Sequence, residues 1–485
     1  MSFKLRSLVA TTLAGTFLLG FGANVMADST DDIVNALVAK GVLTEDEGAL
    51  LMKGRTGEKE AAASKKDSAI TAKFKDGISW ESGDKANSMS VNGRIQLDYR
   101  SFGDANDKTG VADTFDVRRA YFGAKGKFAK YYEFEVATDF GSKDDTGKDK
   151  SAQLDVAFIN LHYWDQAQFK FGQFKMPFSL EEQTSSRFID FQERSLVNAY
   201  APGKEIGAMI HGTPTTGVTY GLALSTGEGK NKIESSSPTA KQDGVDVIGR
   251  ATANFAEIMG NKDNVYHVGA AFSNGKVNSY SPGNSTEGKG EKFFSTAYTT
   301  NGTGNIERTR YGVEGALAFG PVKLQSEWIR TNVDGKTTGN LSYTDDIDAW
   351  YAEALWLITG EKYADSYKGG KFDRIKPLND FNPDGKGMGA WEIGLRYTKL
   401  DAGDLASGAV KVNTKNNMTA AAYNAAATVQ TTEANAFTVG VKWIPMPNWR
   451  FLANYVKTDY DTPIKLHGKK FDSEDAITVR AQMDF

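Results

Sequence analysis

The chain ends in Ile477-Thr478-Val479-Arg480-Ala481-Gln482-Met483-Asp484-Phe485. Ile477, Val479, Ala481 and Met483 are apolar, and the residues between them are polar. Successive side chains of a strand point to opposite faces, so this segment has one greasy face and one wet face. A terminal aromatic closing such a strand is a feature of bacterial outer-membrane barrels. There the apolar face meets lipid and the polar face meets a water-filled lumen. A half-buried strand of a soluble sandwich shows the same alternation, so this segment alone leaves both readings open.

Working back from the terminus, the same period recurs to about residue 70. Phe437, Val439, Val441 and Trp443 oppose Thr438, Gly440 and Lys442. Trp391, Ile393, Leu395 and Tyr397 oppose Glu392, Gly394, Arg396 and Thr398. Tyr266, Val268, Ala270 and Phe272, and Val218, Tyr220, Leu222 and Leu224, repeat the pattern. About sixteen such segments occur, most near the ~10 residues needed to cross a tilted barrel wall. Connectors at Thr213–Gly217, Phe319–Pro321 and Ile444–Asn448 are short and suit periplasmic turns. Those at Thr226–Gly244, Asn274–Glu307, Gly360–Gly389 and Asp401–Glu433 are long and polar, as expected of extracellular loops. Tyr99, Tyr163, Trp164, Phe319, Trp328, Trp350, Trp356, Trp443 and Trp449 fall at segment ends, where interfacial girdles sit. The expected fold is all-β, a transmembrane antiparallel β-barrel over residues 70–485.

The N-terminus reads as an export signal. Lys4 and Arg6 precede an apolar run from Leu8 to Phe21, and Val25-Met26-Ala27 predicts cleavage after Ala27. The run is too short to span a bilayer comfortably. Asp28–Ala69 is a different region: Ile33, Ala36, Leu37 and Val38 have helical spacing, and Thr44 with Glu47 forms a capping box. The charged, alanine-rich stretch from Thr56 to Asp67 reads as a linker. Residues 28–69 are read as a short periplasmic helical and linker extension; an oligomerisation arm and a weakly ordered appendage are the alternatives. Loss of Lys4 and Arg6 moves the formal net charge from −4 to −6, which argues against nucleic-acid binding. No cysteine is present, which excludes disulfides and thiolate metal sites. His162, His211, His267 and His467 are scattered without metal-ligand spacing. No metal or cofactor is expected.

Several motifs recur in one order: FDVRRAYFGAKGKFAKYYEFEVATDF (Phe115–Phe140), FKFGQFKMPFSLEEQTSSRF (Phe169–Phe188), ERSL (Glu193–Leu196), LITGEKY (Leu357–Tyr363), KFDRIKP (Lys371–Pro377) and GAWEIGLRY (Gly389–Tyr397). From about residue 70 to the end the chain resembles the phosphate-selective porin O and P family. The resemblance implies a homotrimer of sixteen-stranded barrels in the outer membrane of a Gram-negative bacterium, with outer-membrane lipid and small inorganic anions as partners. It also implies that Arg94, Arg118, Arg119 and Arg194 lie on an arginine ladder. Thr184, Ser185 and Ser186 match hydroxyls of an inward-folded loop, and Lys368 and Lys376 match funnel lysines.

Arginine's planar fork of donors suits phosphate oxygens, and several moderate sites in series allow entry and release. Arg118 and Arg119 are adjacent, so an ideal strand would turn them to opposite faces; one belongs at a bulge or at the rim. Asp139-Phe140 stands where the family has a ladder arginine, and Glu182 where its loop has a lysine. The Asn274–Glu307 loop holds Lys276, Lys289 and Lys292 but no arginine. These changes place negative charge near the expected narrow part, and a nearby carboxylate cancels much of an arginine's pull on an anion. The functional expectation is passive diffusion of small anions, phosphate or another oxyanion. A weakly selective general porin and a surface receptor or adhesin barrel are the alternatives. No enzyme constellation appears: GNSTEGKG (Gly283–Gly290) lacks the Ser or Thr that follows lysine in a phosphate-binding loop.

Overall fold

The computed structural model describes residues 34, 35, 37–53, 70–73, 77–103, 112–141, 151–232, 245–277, 279–296, 298–299, 306–336, 342–385, 387–404, 430–466 and 468–485. The export segment, the 54–69 stretch and His467 lie outside these. Within 34–53, Thr44 opens a helix at 45–53. Its Oγ1 accepts from Glu47 N at 3.3 Å, while Glu47 Oε2 accepts from Thr44 N at 2.9 Å. Two orphan N–H groups of a helix start are thereby satisfied.

Ile70–Phe485 is a separate compact unit. Its wall consists of β1 (Ser88–Phe102), β2 (Thr114–Phe128), β3 (Tyr132–Asp139), β4 (Gln153–Trp164), β5 (Ala167–Lys175), β6 (Lys204–Thr215), β7 (Val218–Ser225), β8 (Asp246–Asn254), β9 (Asn264–Val277), β10 (Ile306–Phe319), β11 (Val322–Lys336), β12 (Ser342–Leu357), β13 (Ala390–Asp401), β14 (Glu433–Met446), β15 (Trp449–Leu466) and β16 (Lys469–Asp484). Each pairs antiparallel with the next, and β16 returns to β1 with Asp484 opposite Arg94 and Ala476 opposite Phe102. The ring is closed, so no ladder edge faces lipid. A hairpin of Ile70–Lys73 and Ile78–Ser82 adds to the start of β1.

Exposure inverts the order of a soluble protein. On β16, Ile477 is 56% and Val479 40% exposed, whereas Arg480 is 1% and Asp484 0% exposed. Leu317, Leu324, Leu395 and Phe437 are also exposed. The outward face is apolar because its solvent is hydrocarbon. Trp391, Trp443 and Phe451 stack in a row, with ring centroids 5.6 and 5.4 Å apart, as part of an aromatic girdle.

Three long connectors fold into the barrel in their described parts: 176–203 between β5 and β6, 279–296 with 298–299 between β9 and β10, and 358–385 with 387–389 between β12 and β13. From the second, Phe293, Phe294 and Tyr298 pack with Met176, Phe178 and Tyr200 of the first against Ile329, Ile347 and Tyr351 of the wall. The third corrects an expectation of the sequence. Residues Gly360–Gly389 leave from the short-turn end, because Leu357 N bonds Pro321 O of the tight β10–β11 turn and Tyr363 N bonds Gly320 O. Connector length misled here. The β11–β12 link (337–341) is short at the long-loop end, so the next connector, although long, belongs to the opposite end. The segment turns inward because Tyr363, Phe372 and Ile375 bury against Leu355, Leu357 and Ile444, apolar residues on the lumen side.

Phe485 closes the ring. Gly93 N donates to Phe485 O at 2.8 Å and Phe485 N to Gly93 O at 3.1 Å. A Cβ on Gly93 would lie 2.4 Å from the tip of the Phe485 ring, so the approach needs glycine. Gly93→Val is expected to displace this ring, and deletion of Phe485 to remove the last ladder bonds. Both should leave little heat-modifiable barrel on semi-native gels; a normal folded band in the deletion variant would show that closure does not depend on the terminal phenylalanine.

Candidate functional site

The charged strip starts on β1 and β2. The β1 lumen face carries Arg94, Gln96, Asp98 and Arg100, all buried from bulk solvent. On β2 the register shifts so that Arg119 faces Gln96 and Val117 faces Leu97. Arg118 is the extra residue of this bulge, which turns both arginines inward. Arg119 Nη1 donates to Gln96 Oε1 at 2.9 Å. Arg94 Nη1 donates to Ser186 Oγ at 2.9 Å and its guanidinium lies 4.2 Å over the Tyr121 ring.

Ser186 belongs to the inward segment 176–203, which is built around one turn of helix, α1 (Leu180–Gln183). Ser179 caps it, accepting from Glu182 N at 3.1 Å. Glu327 of β11 accepts from Leu180 N at 2.9 Å and Glu181 N at 2.6 Å, fixing the turn to the wall. Arg194 donates to Glu181 O at 3.0 Å and Thr184 O at 2.8 Å and pairs with Glu182 at 3.4 Å. It acts as a strut of the loop. Thr184 is held through its carbonyl, which also accepts from Lys175 at 3.0 Å. Ser185 Oγ accepts from Arg187 N at 3.3 Å.

The two acidic departures do not face the path. Asp139 accepts from the backbone N–H groups of Ala120 at 3.3 Å and Gly141 at 3.0 Å. Glu182 lies between Arg194 and Lys175. Burial raises the Glu182 pKa, but these two cations outweigh it and hold the carboxyl below its ordinary value. Neither residue lines the cavities described next.

A cavity of about 990 Å³ is lined by eleven Lys and Arg side chains against four Asp and Glu, so its field favours anions. Arg94, Ser185, Ser186, Lys368 and Lys376 all line it. A smaller cavity of about 190 Å³ is lined by Arg118, Arg119, Arg194, Glu193 and Lys289. Of the residues expected from the sequence, Arg94, Arg119 and Ser186 come together on one strip. Lys368 and Lys376 sit on the segment that enters from the short-turn end. Arg187, Lys170 and Lys371 were missed, and all line the larger cavity. Arg187 directly follows the hydroxyl cluster, which was the available signal.

Glu193 decides which arginines remain available. Its carboxylate accepts from Arg118 at 2.9 and 3.2 Å, Arg480 at 3.0 Å and Arg100 at 3.3 Å. Arg480 also grips Asp98 at 2.7 and 2.8 Å. By contrast, Arg94, Arg119 and Arg187 form no ion pair among the described residues.

A closed barrel with a lipid-facing outer wall and a charged lumen narrowed by inward loops defines an outer-membrane porin. Residues 89–485 match the family model described as phosphate-selective porin O and P, and the chain belongs to that family. It is 26% identical over 445 residues to Porin O of Pseudomonas aeruginosa, covering 86% of this chain and 92% of that protein. The anion-selective porin of Comamonas acidovorans superposes with a TM-score of 0.47 at 11% identity, covering 82% of this chain and all of that one. The outer-membrane channel DcaP of Acinetobacter baumannii superposes with 0.48 at 12% identity, covering 82% and 98%. The protein is a channel of the Gram-negative outer membrane.

Burial raises the Glu193 pKa, but Arg118, Arg480, Arg119 and Lys289 overcome it and hold the group well below the ordinary range. Its stabilising pairs are therefore fully present above the ordinary glutamate value of about 4.3 and lost as pH falls through the depressed folded value. Single-channel noise is expected to stay low on acidification past that ordinary value and to rise only well below it. Glu193→Gln should be noisy already at neutral pH and less stable by about 3–5 kcal/mol, as for a broken buried pair. Quiet Glu193→Gln channels would show that the loop does not depend on this carboxylate.

Proposed function

We propose that this porin carries small inorganic anions, phosphate or another oxyanion, by passive diffusion as a homotrimer. The observation that carries the reading is the strip Arg94, Arg119 and Arg187, whose guanidinium groups have no carboxylate partner among the described residues. An anion entering the lumen loses hydration there. These cations and the Ser186 hydroxyl supply replacement charge and donors. Arg118 and Arg194, spent on Glu193 and on the loop, shape the path and add little attraction. The lysines of the larger cavity, Lys368 and Lys376 among them, concentrate anions beside the strip. In the same reading, residues 1–27 are removed on export and 28–69 extend into the periplasm.

Planar-bilayer reversal potentials in a KCl gradient test the proposal, and cation preference would overturn it. One unit charge about 4 Å away is worth about 1 kcal/mol in bulk water and ~4 kcal/mol at an effective dielectric of 20. Arg94→Ala and Arg119→Ala should each lower the anion-to-cation permeability ratio by roughly 5-fold or more, since ~1.4 kcal/mol is tenfold. Arg194→Ala should mainly destabilise the loop and raise channel noise. Equal permeability changes in all three variants would mean that pairing does not sort these arginines.

A further inference from the structure

Arg450 lies on β15 beside the tight turn at 447–448 and is 1% exposed. None of its three guanidinium nitrogens has a hydrogen-bond partner, and it makes no ion pair among the described residues. Four other wall arginines are paired with carboxylates: Arg480 with Asp98, Arg396 with Glu287, Arg310 with Asp246 and Arg250 with Glu314; Arg94, which has no such pair, donates to Ser186 and lines the larger cavity. An uncompensated buried guanidinium is strongly unfavourable. Among the described residues its guanidinium stacks on Phe188 of the inward loop, 4.8 Å from the ring centroid. That ring also receives Arg374, at 5.0 Å. A cation–π contact shared by two guanidiniums offsets only part of the lost hydration. Three carboxylates act on Arg450 from further away, and each is already engaged: Asp484 by Arg374, Glu392 by Lys442 and Asp190 by Lys323. Arg187, one residue before Phe188, forms no ion pair among the described residues either.

We propose that Arg450 binds a small inorganic anion behind Phe188, as a fixed part of the fold and not as cargo. Arg450 lines neither of the two cavities described above, so an ion held there lies apart from them. The bound ion supplies the missing acceptor and ties β15 to the foot of the inward loop. This holds whatever ion the pore prefers.

Crystals of the full chain grown in bromide test the site. An anomalous peak is expected within about 3.5 Å of an Arg450 nitrogen, near hydrogen-bonding range, and is expected to vanish in Arg450→Met. A guanidinium bonded only to water or to Asp484, or a peak that persists in Arg450→Met, would overturn the proposal. Arg450→Lys keeps the charge in case the methionine variant does not fold. At fixed ionic strength the wild type should melt higher in chloride than in gluconate, because a ligand that binds only the folded state stabilises it. That difference should shrink in Arg450→Lys. Identical melting of the wild type in both salts would also overturn the site. Wild-type reversal potentials, which report the pore, separate failure of this site from failure of the anion-channel reading.

Discussion

Everything in this protein follows from the absence of water in the bilayer core. Each backbone N–H and C=O of a spanning segment must find a partner within the protein, and sixteen strands do so only if the last pairs with the first. The Asp484–Arg94 register and the Phe485–Gly93 bonds complete that circle. Closure also assigns the faces. Ile477 and Val479 meet lipid, and Arg480 and Asp484 are forced into a lumen where their charge must be matched.

Matching is done by a few carboxylates, and it divides the arginines into two populations. Glu193 and Asp98 absorb Arg118, Arg100 and Arg480; Glu287 absorbs Arg396. These pairs brace the inward loop against the wall. Arg94, Arg119 and Arg187 are left facing hydroxyl and amide partners, whose weak competition leaves their charge available to an ion. The same lumen therefore holds a rigid polar scaffold and a path with surplus positive charge. Low dielectric strengthens both effects.

The lumen is narrowed from both ends by apolar packing. The connector 176–203 rests on Phe293 and Phe294 of the β9–β10 connector, and the β12–β13 connector enters from the short-turn side behind Phe372 and Ile375. This explains why part of the inner wall, such as Ile347, Ala349, Leu355 and Leu357 on β12, is apolar instead of wet. Alternation on β12 still holds. Its inward face meets apolar protein, where the β1 face meets polar partners and, at Arg94, the larger cavity.

The alternating pattern, repeated about sixteen times with short and long connectors in between, indicated the barrel and its outward face, because a closed ring is what lets half-polar strands cross lipid. The RRAYF and TSSRF motifs indicated where the charged strip lies. Tertiary structure alone decided which cations are available. Arg194 and Arg118 are of the same residue type as Arg94, but a carboxylate brought from 75 positions away in sequence neutralises Arg118. It also decided that Gly360–Gly389 enters from the short-turn end and that Asp139 and Glu182 are occupied by backbone and cation partners. A sequence states which charges exist. Coulomb energy depends on distance, and distances across a lumen are set only when the ring closes.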